Sequence, residues 1–278
     1  MTAPVKVGLV GLGTVGQGVV RLLKDNAGEI TRRLGRPLLV THVAVRDMTR
    51  KRDCDLNGIT VVSDPLSIIR DTDVDIVVET IGGTTVARDL ILAAIAHGKH
   101  VVTANKALIA EDGNALFSAA RDKGVVLAFE AAVAGGIPII KTIREGLAGN
   151  RIESVAGIIN GTCNYILTQM TLKGQSFANA LADAQQLGYA EADPTFDIEG
   201  VDAGHKLTIL ASIAFGMPLS FNALACEGIT KVTAQDIEIA QALGYRIKLL
   251  GLAKRSERGV EMRVQPTLIP QDKLLAKV

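Results

Sequence analysis

Residues 191–206, EADPTFDIEGVDAGHK, hold five acids, one histidine and one lysine, and the apolar run LTILASIAFG follows directly. Charge this dense usually marks a solvated loop. A helix starting near Asp197, however, sets Asp202 and Lys206 on one face as i,i+4 neighbours. As a surface ion pair the two would contribute only about 0.3–0.5 kcal/mol. Helical spacing argues against a surface position, because Ile198, Ile209 and Ile213 fall within roughly 40° of the pair. Burying ions without a function is unfavourable, so the pair is expected at the edge of a cleft. There a partly desolvated Lys206, flanked by carboxylates, can deliver a proton to a developing alkoxide. Glu191, in the loop before the helix, joins the pair if the loop folds back. The result is an anionic pocket for an amino-acid-like zwitterion, with Lys106 available for its carboxylate. Asp193, Asp197 and Glu199 are read as supporting or solvated.

A second constellation lies near the N-terminus, where Gly11-Leu12-Gly13-Thr14-Val15-Gly16 follows an apolar run and opens a helical pattern. GxGxxG in that context marks a dinucleotide site. Gly11 allows the tight turn, Gly13 lets a pyrophosphate approach the backbone, and Gly16 lets helix pack on strand. The helix start, at Thr14 and Val15, turns its N–H groups to the phosphates. After the second strand the chain reads VAVRDMTRKR. Arg46 with the basic residues behind it favours the 2′-phosphate of NADP, while Asp47 keeps NAD in use as well. Thr103 and Lys106, in TANK, fall at the carboxyl end of a later strand, where ligands bind in such sheets.

Other reactive residues carry less. Cys163, in NGTCNYIL, has no histidine near it in sequence and is read as a packing residue at a helix start. His42, His97 and His100 lie in or beside strand–helix elements and are read as structural. His205 points about 100° away from Lys206 on the helix and is given no chemistry. Glu130, in FEAAVAGGIP, precedes a glycine-rich bend whose carbonyls can hold a hard cation.

The elements that must position these residues are legible in the pattern. Apolar runs at 5–10, 38–45, 59–62, 75–79, 100–104 and 125–133 alternate with helical segments, the clearest at 86–98. Strand and helix alternating in this way imply a Rossmann-type doubly wound parallel sheet. After about residue 135 the rhythm changes: one strand at 151–160, helices through 162–243, then strands near 246–254 and 260–269. We therefore expect a dinucleotide-binding domain over 1–134 and a second, α+β domain over 135–278. With 278 residues, 48% of them hydrophobic, both can bury a core. A net charge of +1 removes the footprint of a nucleic-acid binder. Three scattered cysteines, no signal-peptide pattern and no apolar run of about 18 residues point to a cytoplasmic protein without disulfides or a membrane span.

Together GLGTVG, TANKALIA, EAAVAGGIPII, NGTCNYIL and GYAEADPTFDIEGVDAGHK, in this order along the whole chain, resemble homoserine dehydrogenase. The resemblance implies an NAD(P)-dependent oxidoreductase that interconverts L-homoserine and L-aspartate 4-semialdehyde, on the route to threonine, methionine and isoleucine. It implies that Lys206 is the catalytic proton donor and Lys106 the second active-site lysine. Glu191 and Asp202 would hold the substrate, and Gly188 would contact the cofactor through its backbone. It further implies a structural sodium ion on Glu130, Val133, Gly135 and Ile137, and a homodimer formed through a sheet in the second domain. The chain ends at KLLAKV without a turn or cap, so a natural C-terminal part is expected to be missing, and no regulatory ACT domain is included. Two other readings compete: a semialdehyde dehydrogenase or reductase of a neighbouring class, the former needing a cysteine nucleophile, and a non-catalytic module that senses NAD(P).

Overall fold

A computed structural model describes residues 2–278. The chain forms two compact units, Met1–Pro138 and Ile139–Val278. The boundary lies four residues beyond the 134/135 division expected from sequence. The bend through Gly135 and Gly136 stays with the first unit, where Ile137 N–H donates to the Ala134 carbonyl at 2.8 Å.

In the first unit the order is β1 (Val5–Val10), α1 (Thr14–Asp25), α2 (Ala27–Leu34), β2 (Leu38–Ala44), β3 (Thr60–Val62), α3 (Pro65–Arg70), β4 (Ile76–Glu79), α4 (Thr85–Ala96), β5 (His100–Thr103), α5 (Lys106–Lys123) and β6 (Leu127–Ala128). Among the described residues these strands form one parallel sheet in the order β3-β2-β1-β4-β5-β6. The strand order reverses beside β1, and in doubly wound sheets ligands collect at the carboxyl ends next to that switch. Val7, Leu9, Val43 and Val78 are buried between sheet and helices, as continuous apolar strands covered on both faces require. The run at 125–133 does not stay extended. After β6 it coils into one 3₁₀ turn, Glu130–Ala132, with Ala132 N–H donating to the Phe129 carbonyl at 3.0 Å.

The second unit begins with α6 (Ile139–Lys141), then β7 (Ser154–Gly157), α7 (Gly161–Lys173), α8 (Phe177–Gln186), α9 (Thr195–Ile198), α10 (Val201–Phe215), β8 (Ala225–Cys226), α11 (Ala234–Ala242), β9 (Tyr245–Ser256) and β10 (Gly259–Pro270). Its sheet runs β7-β9-β10-β8, with β9 and β10 a long antiparallel hairpin. Cys163, Ile166 and Leu167 of α7 and Leu207 and Ala211 of α10 bury against Leu249, Ala253 and Val264 of this sheet. The expected helix from Asp197 is in fact two. α9 ends and Gly200 takes the left-handed conformation at φ 82°, so that α10 starts at Val201. A side chain at 200 would also meet Val264 and Cys226 at 3.1 and 3.2 Å. Ile198 is therefore on α9 rather than on the helix that carries Lys206, yet it still packs against the same core.

Candidate active site

In the second unit, one corner of the chain organises the chemistry. Asn160 ends the segment after β7 and caps α7, its Oδ1 accepting from the Cys163 N–H at 2.8 Å. Its Nδ2 donates to Asp197 Oδ1 at 2.7 Å and to Asp202 Oδ2 at 2.9 Å. One turn along α10, Lys206 Nζ reaches the same Asp202 Oδ2 at 2.6 Å and the Ile159 carbonyl at 2.9 Å. Asp202 has a side chain only 6% exposed, against 21% for Lys206. The carboxylate is thus interior and the ammonium at the surface of a pocket of about 400 Å³. Asn160, Gly161, Thr162, Tyr165, Tyr189 and Asp197 complete its lining with that pair. Thr162 Oγ1 donates to the Tyr189 carbonyl at 2.7 Å, and the Tyr165 and Tyr189 rings lie 5.1 Å apart. Two carboxylates face one ammonium here, an arrangement that leaves room for one more positive charge from a ligand.

Glu191, placed in this pocket from sequence, is exposed and does not line it. Gln185 Nε2 donates to the Glu191 and Ala192 carbonyls at 3.0 and 3.3 Å, fastening that loop to the end of α8. Asp197, read from sequence as supporting or solvated, stands in the lining instead. Gly188, at φ 75°, forms the exposed turn after α8, next to Tyr189. Cys163 is buried, and its Sγ donates to the Asp197 carbonyl at 3.1 Å. Burial first, and then the Asp197 and Asp202 carboxylates, push its thiol far above the ordinary range. Such a shift disfavours the thiolate that a cysteine nucleophile requires. His205 is buried between the rings of Phe196 and Phe221, with centroids 5.4 and 4.4 Å away.

In the first unit, the carboxyl edge of the sheet carries the dinucleotide features. Gly11 has φ 98°, and its carbonyl accepts from Thr80 Oγ1 at 2.9 Å. A Cβ on Gly16 would lie 2.3 Å from that same carbonyl oxygen, so no side chain fits. At Gly13 a Cβ would meet nothing within 4 Å. The helix start beyond it therefore opens onto free space, with Thr14 and Val15 exposed. The N–H groups of a first turn have no acceptor four residues back, which suits them to phosphate oxygens. Arg46 is exposed just past β2. Asp47 Oδ1 is occupied within its own loop, accepting from the Thr49 hydroxyl at 2.7 Å and from the Thr49 and Arg50 N–H groups at 2.8 and 3.2 Å. The Thr49 hydroxyl, ahead of the backbone N–H groups, holds this carboxyl below its usual range.

Sequence reasoning passed over Glu79, at the end of β4 and 1% exposed. Its Oε1 accepts from the Ile81 and Gly82 N–H groups at 2.8 and 3.0 Å, and its Oε2 accepts from Thr103 Oγ1 at 2.5 Å. Thr103 Oγ1 in turn accepts from the Asn105 N–H at 3.0 Å. The Thr103 hydroxyl is therefore engaged at the carboxyl end of β5. Asn105 caps α5 through Leu108 N–H at 3.2 Å, which places Lys106, half-buried, as the first residue of that helix. Asn160 and Glu79 escaped notice for one reason. An Asn before a helix reads as a cap and a Glu at a strand end reads as solvated. Only tertiary contacts reveal the second partner of each.

At the glycine-rich bend, Glu130 opens the 3₁₀ turn, Val133 is buried and Ile137 is 63% exposed. Ala134 has φ 50°, the one positive φ outside glycine among the described residues. That conformation costs roughly 1–2 kcal/mol. No group of three or more His, Cys, Asp or Glu able to hold a metal occurs among the described residues. A cation at this bend would thus rest on backbone oxygens, donors of the kind an alkali or alkaline-earth ion takes.

Two family models match the chain: "Homoserine dehydrogenase, NAD binding domain" over residues 11–130 and "Homoserine dehydrogenase" over residues 138–278. A curated homoserine dehydrogenase from Pseudomonas aeruginosa is 59% identical over 275 residues, covering 99% of this chain and 63% of its own length. The crystal structure of a homoserine dehydrogenase from Thiobacillus denitrificans superposes with a TM-score of 0.94 at 56% identity, covering 99% of this chain and 64% of that one. A hyperthermophilic archaeal homoserine dehydrogenase in complex with NADPH superposes with a TM-score of 0.81 at 26% identity, covering 99% and 85%. The chain spans about 63% of the length of the first curated relatives it matches.

Proposed function

The chain belongs to the homoserine dehydrogenase family, and on that premise we propose that it interconverts L-homoserine and L-aspartate 4-semialdehyde with NADP, NAD also being accepted. The observation that carries the proposal is the Lys206–Asp202 contact at 2.6 Å, interior on the carboxylate side and open to the pocket on the lysine side. A bound nicotinamide supplies or takes the hydride. Lys206 supplies the proton to the aldehyde oxygen in reduction, and in the reverse direction its neutral amine takes the proton of the substrate hydroxyl. Asp202 keeps the ammonium aimed, and the second carboxylate, Asp197, leaves the pocket matched to a substrate ammonium. Glu191 is assigned to hold the substrate from the loop before α9, and Lys106 to its carboxylate.

Gly11, Gly13, Thr14, Val15 and Gly16 would hold the pyrophosphate, with the Thr103 backbone, Lys106 and Gly188 as further cofactor contacts. Arg46 would take the 2′-phosphate. The exposure of Arg46 and the engagement of Asp47 within its loop support NADP over NAD. A structural sodium ion on Glu130, Val133, Gly135 and Ile137 is supported by the left-handed turn at Ala134. A homodimer through the sheet of the second unit is supported by exposed Leu268 on β10 and exposed Leu274 just beyond it. A cytoplasmic setting belongs to the same proposal, and no helix among the described residues is long and apolar enough to cross a membrane. The deciding experiment follows NADP reduction at alkaline pH with L-homoserine as sole substrate. Turnover supports the assignment, and tight NADP binding without turnover points to a cofactor-sensing module instead.

A further inference from the structure

We propose that Asn160 is a positioning residue for the reaction: its side-chain amide holds Asp197 and Asp202 side by side and so aims Lys206. The inference rests on the dehydrogenase reading above and adds to it a residue whose position before a helix suggests only a cap.

Asn160 is 3% exposed, and every part of its side chain is committed. Capping α7 through Oδ1 fixes the amide plane, and the two protons on Nδ2 then point away from the helix. One goes to Asp197 Oδ1 and the other to Asp202 Oδ2. Two carboxylates sharing one amide repel each other, and each gains a hydrogen bond from a group that adds no charge. Asp202 Oδ2 is also the oxygen that receives Lys206 Nζ, and the second acceptor for that ammonium is the carbonyl of Ile159, the preceding residue. Residues 159 and 160 therefore grip the proton donor twice: directly by a carbonyl, and through Asp202 by an amide.

Capping alone does not call for asparagine. Aspartate and serine cap helices as well, but aspartate offers no donor and serine only one. That difference separates the two roles. Asn160→Asp keeps the cap and sets a third carboxylate against the existing two. Asn160→Ser keeps a capping oxygen and adds no charge. The other titratable groups around the cluster are Lys206 and the ring-packed His205 on α10, Cys163 and Tyr165 on α7, Tyr189 after α8, and Glu199 after α9.

The test measures kcat/KM for L-homoserine against pH, and Tm, for the full chain and both variants. Asn160→Asp should lower kcat/KM at least thirtyfold and move the acid limb of the profile up by about one pH unit, because in this direction Lys206 must give up its proton to act as base and an added carboxylate beside Asp202 holds that proton more tightly. The KM for NADP should stay within twofold. Asn160→Ser should lower kcat/KM with a smaller displacement of the acid limb. A variant with a lowered Tm and an unmoved acid limb would reduce Asn160 to a cap and overturn the proposal. Should Asn160→Asp fail to fold, the serine variant carries the same test through its kcat/KM. If the wild-type chain turns over no homoserine, the dehydrogenase reading fails separately. Carboxyl titration by ¹³C NMR then decides, and Asp197 and Asp202 titrating alike in wild type and Asn160→Asp would still refute the positioning role.

Discussion

Replacing Lys206 by methionine keeps most of the side-chain volume and removes the charge, which isolates what the ammonium does. Asp202 would remain, 6% exposed, with the Asn160 amide but without its counter-ion. Breaking a fully buried pair costs about 3–5 kcal/mol. The lysine here is 21% exposed and the amide stays, so about 2–3 kcal/mol is the better expectation. For a chain of this size that lowers Tm by about 5–10 °C. The penalty should depend on pH, with a definite sign. Without the lysine, the folded state binds the Asp202 proton more tightly than the unfolded chain, whose carboxyl titrates near 4. Below that value both states are protonated and nothing is lost; as pH rises through the raised folded-state value, the loss grows. The Tm difference between wild type and Lys206→Met should therefore be larger at pH 8 than at pH 5. At both pH values kcat for NADP reduction should lie about 10²–10⁴ below wild type, the worth of a positioned general acid–base group. Thermal unfolding at both pH values and initial rates of NADP reduction provide the readings. A pH-independent Tm difference, with kcat within threefold of wild type, would mean that the pair is an ordinary surface contact.

Cys163→Ser keeps a donor toward the Asp197 carbonyl and should leave kcat within about threefold. A loss beyond a hundredfold would bring back a covalent mechanism. In the native chain the Cys163 thiol should resist maleimide at pH 8 and react once denatured, which mass spectrometry reads directly. Arg46→Ala should raise KM for NADP by tenfold or more and leave KM for NAD nearly unchanged; equal effects would place the 2′-phosphate elsewhere. Gly16→Ala sets a methyl 2.3 Å from the Gly11 carbonyl oxygen. It should weaken NADPH binding more than tenfold in a fluorescence titration and cost about 1–3 kcal/mol of stability, as overpacking does.

The parallel sheet is legible because buried strands covered on both faces read as unbroken apolar runs, and β1, β2, β4 and β5 fall within a residue or so of those runs. The run at 125–133 misleads for the same reason, since a buried 3₁₀ turn is as apolar as a strand. Asp202 and Lys206 are legible because i,i+4 spacing holds wherever the helix begins, so the displaced start at Val201 left the pair intact. Asp197 lines the pocket and Glu191 lies outside that lining because the course of a loop between helices is set by bonds such as Gln185 to the Glu191 carbonyl, which no periodicity encodes. Asn160 and Glu79 stayed hidden for a related reason. Their partners lie 37 and 42 residues away in one case and 24 in the other.

The two anchors on Lys206 also settle when its ordering is accounted for. A free lysine side chain loses roughly 2 kcal/mol of rotamer entropy when held in one geometry. In this chain Ile159 and Asp202 hold it within the same unit that supplies Asn160 and Asp197. That loss is met once, during folding, and does not recur with each catalytic cycle. With Lys206 in the proposed role of proton donor, substrate arrival needs to reorganise little around the reacting oxygen, and binding energy that would have gone into arranging the lysine remains for lowering the barrier itself.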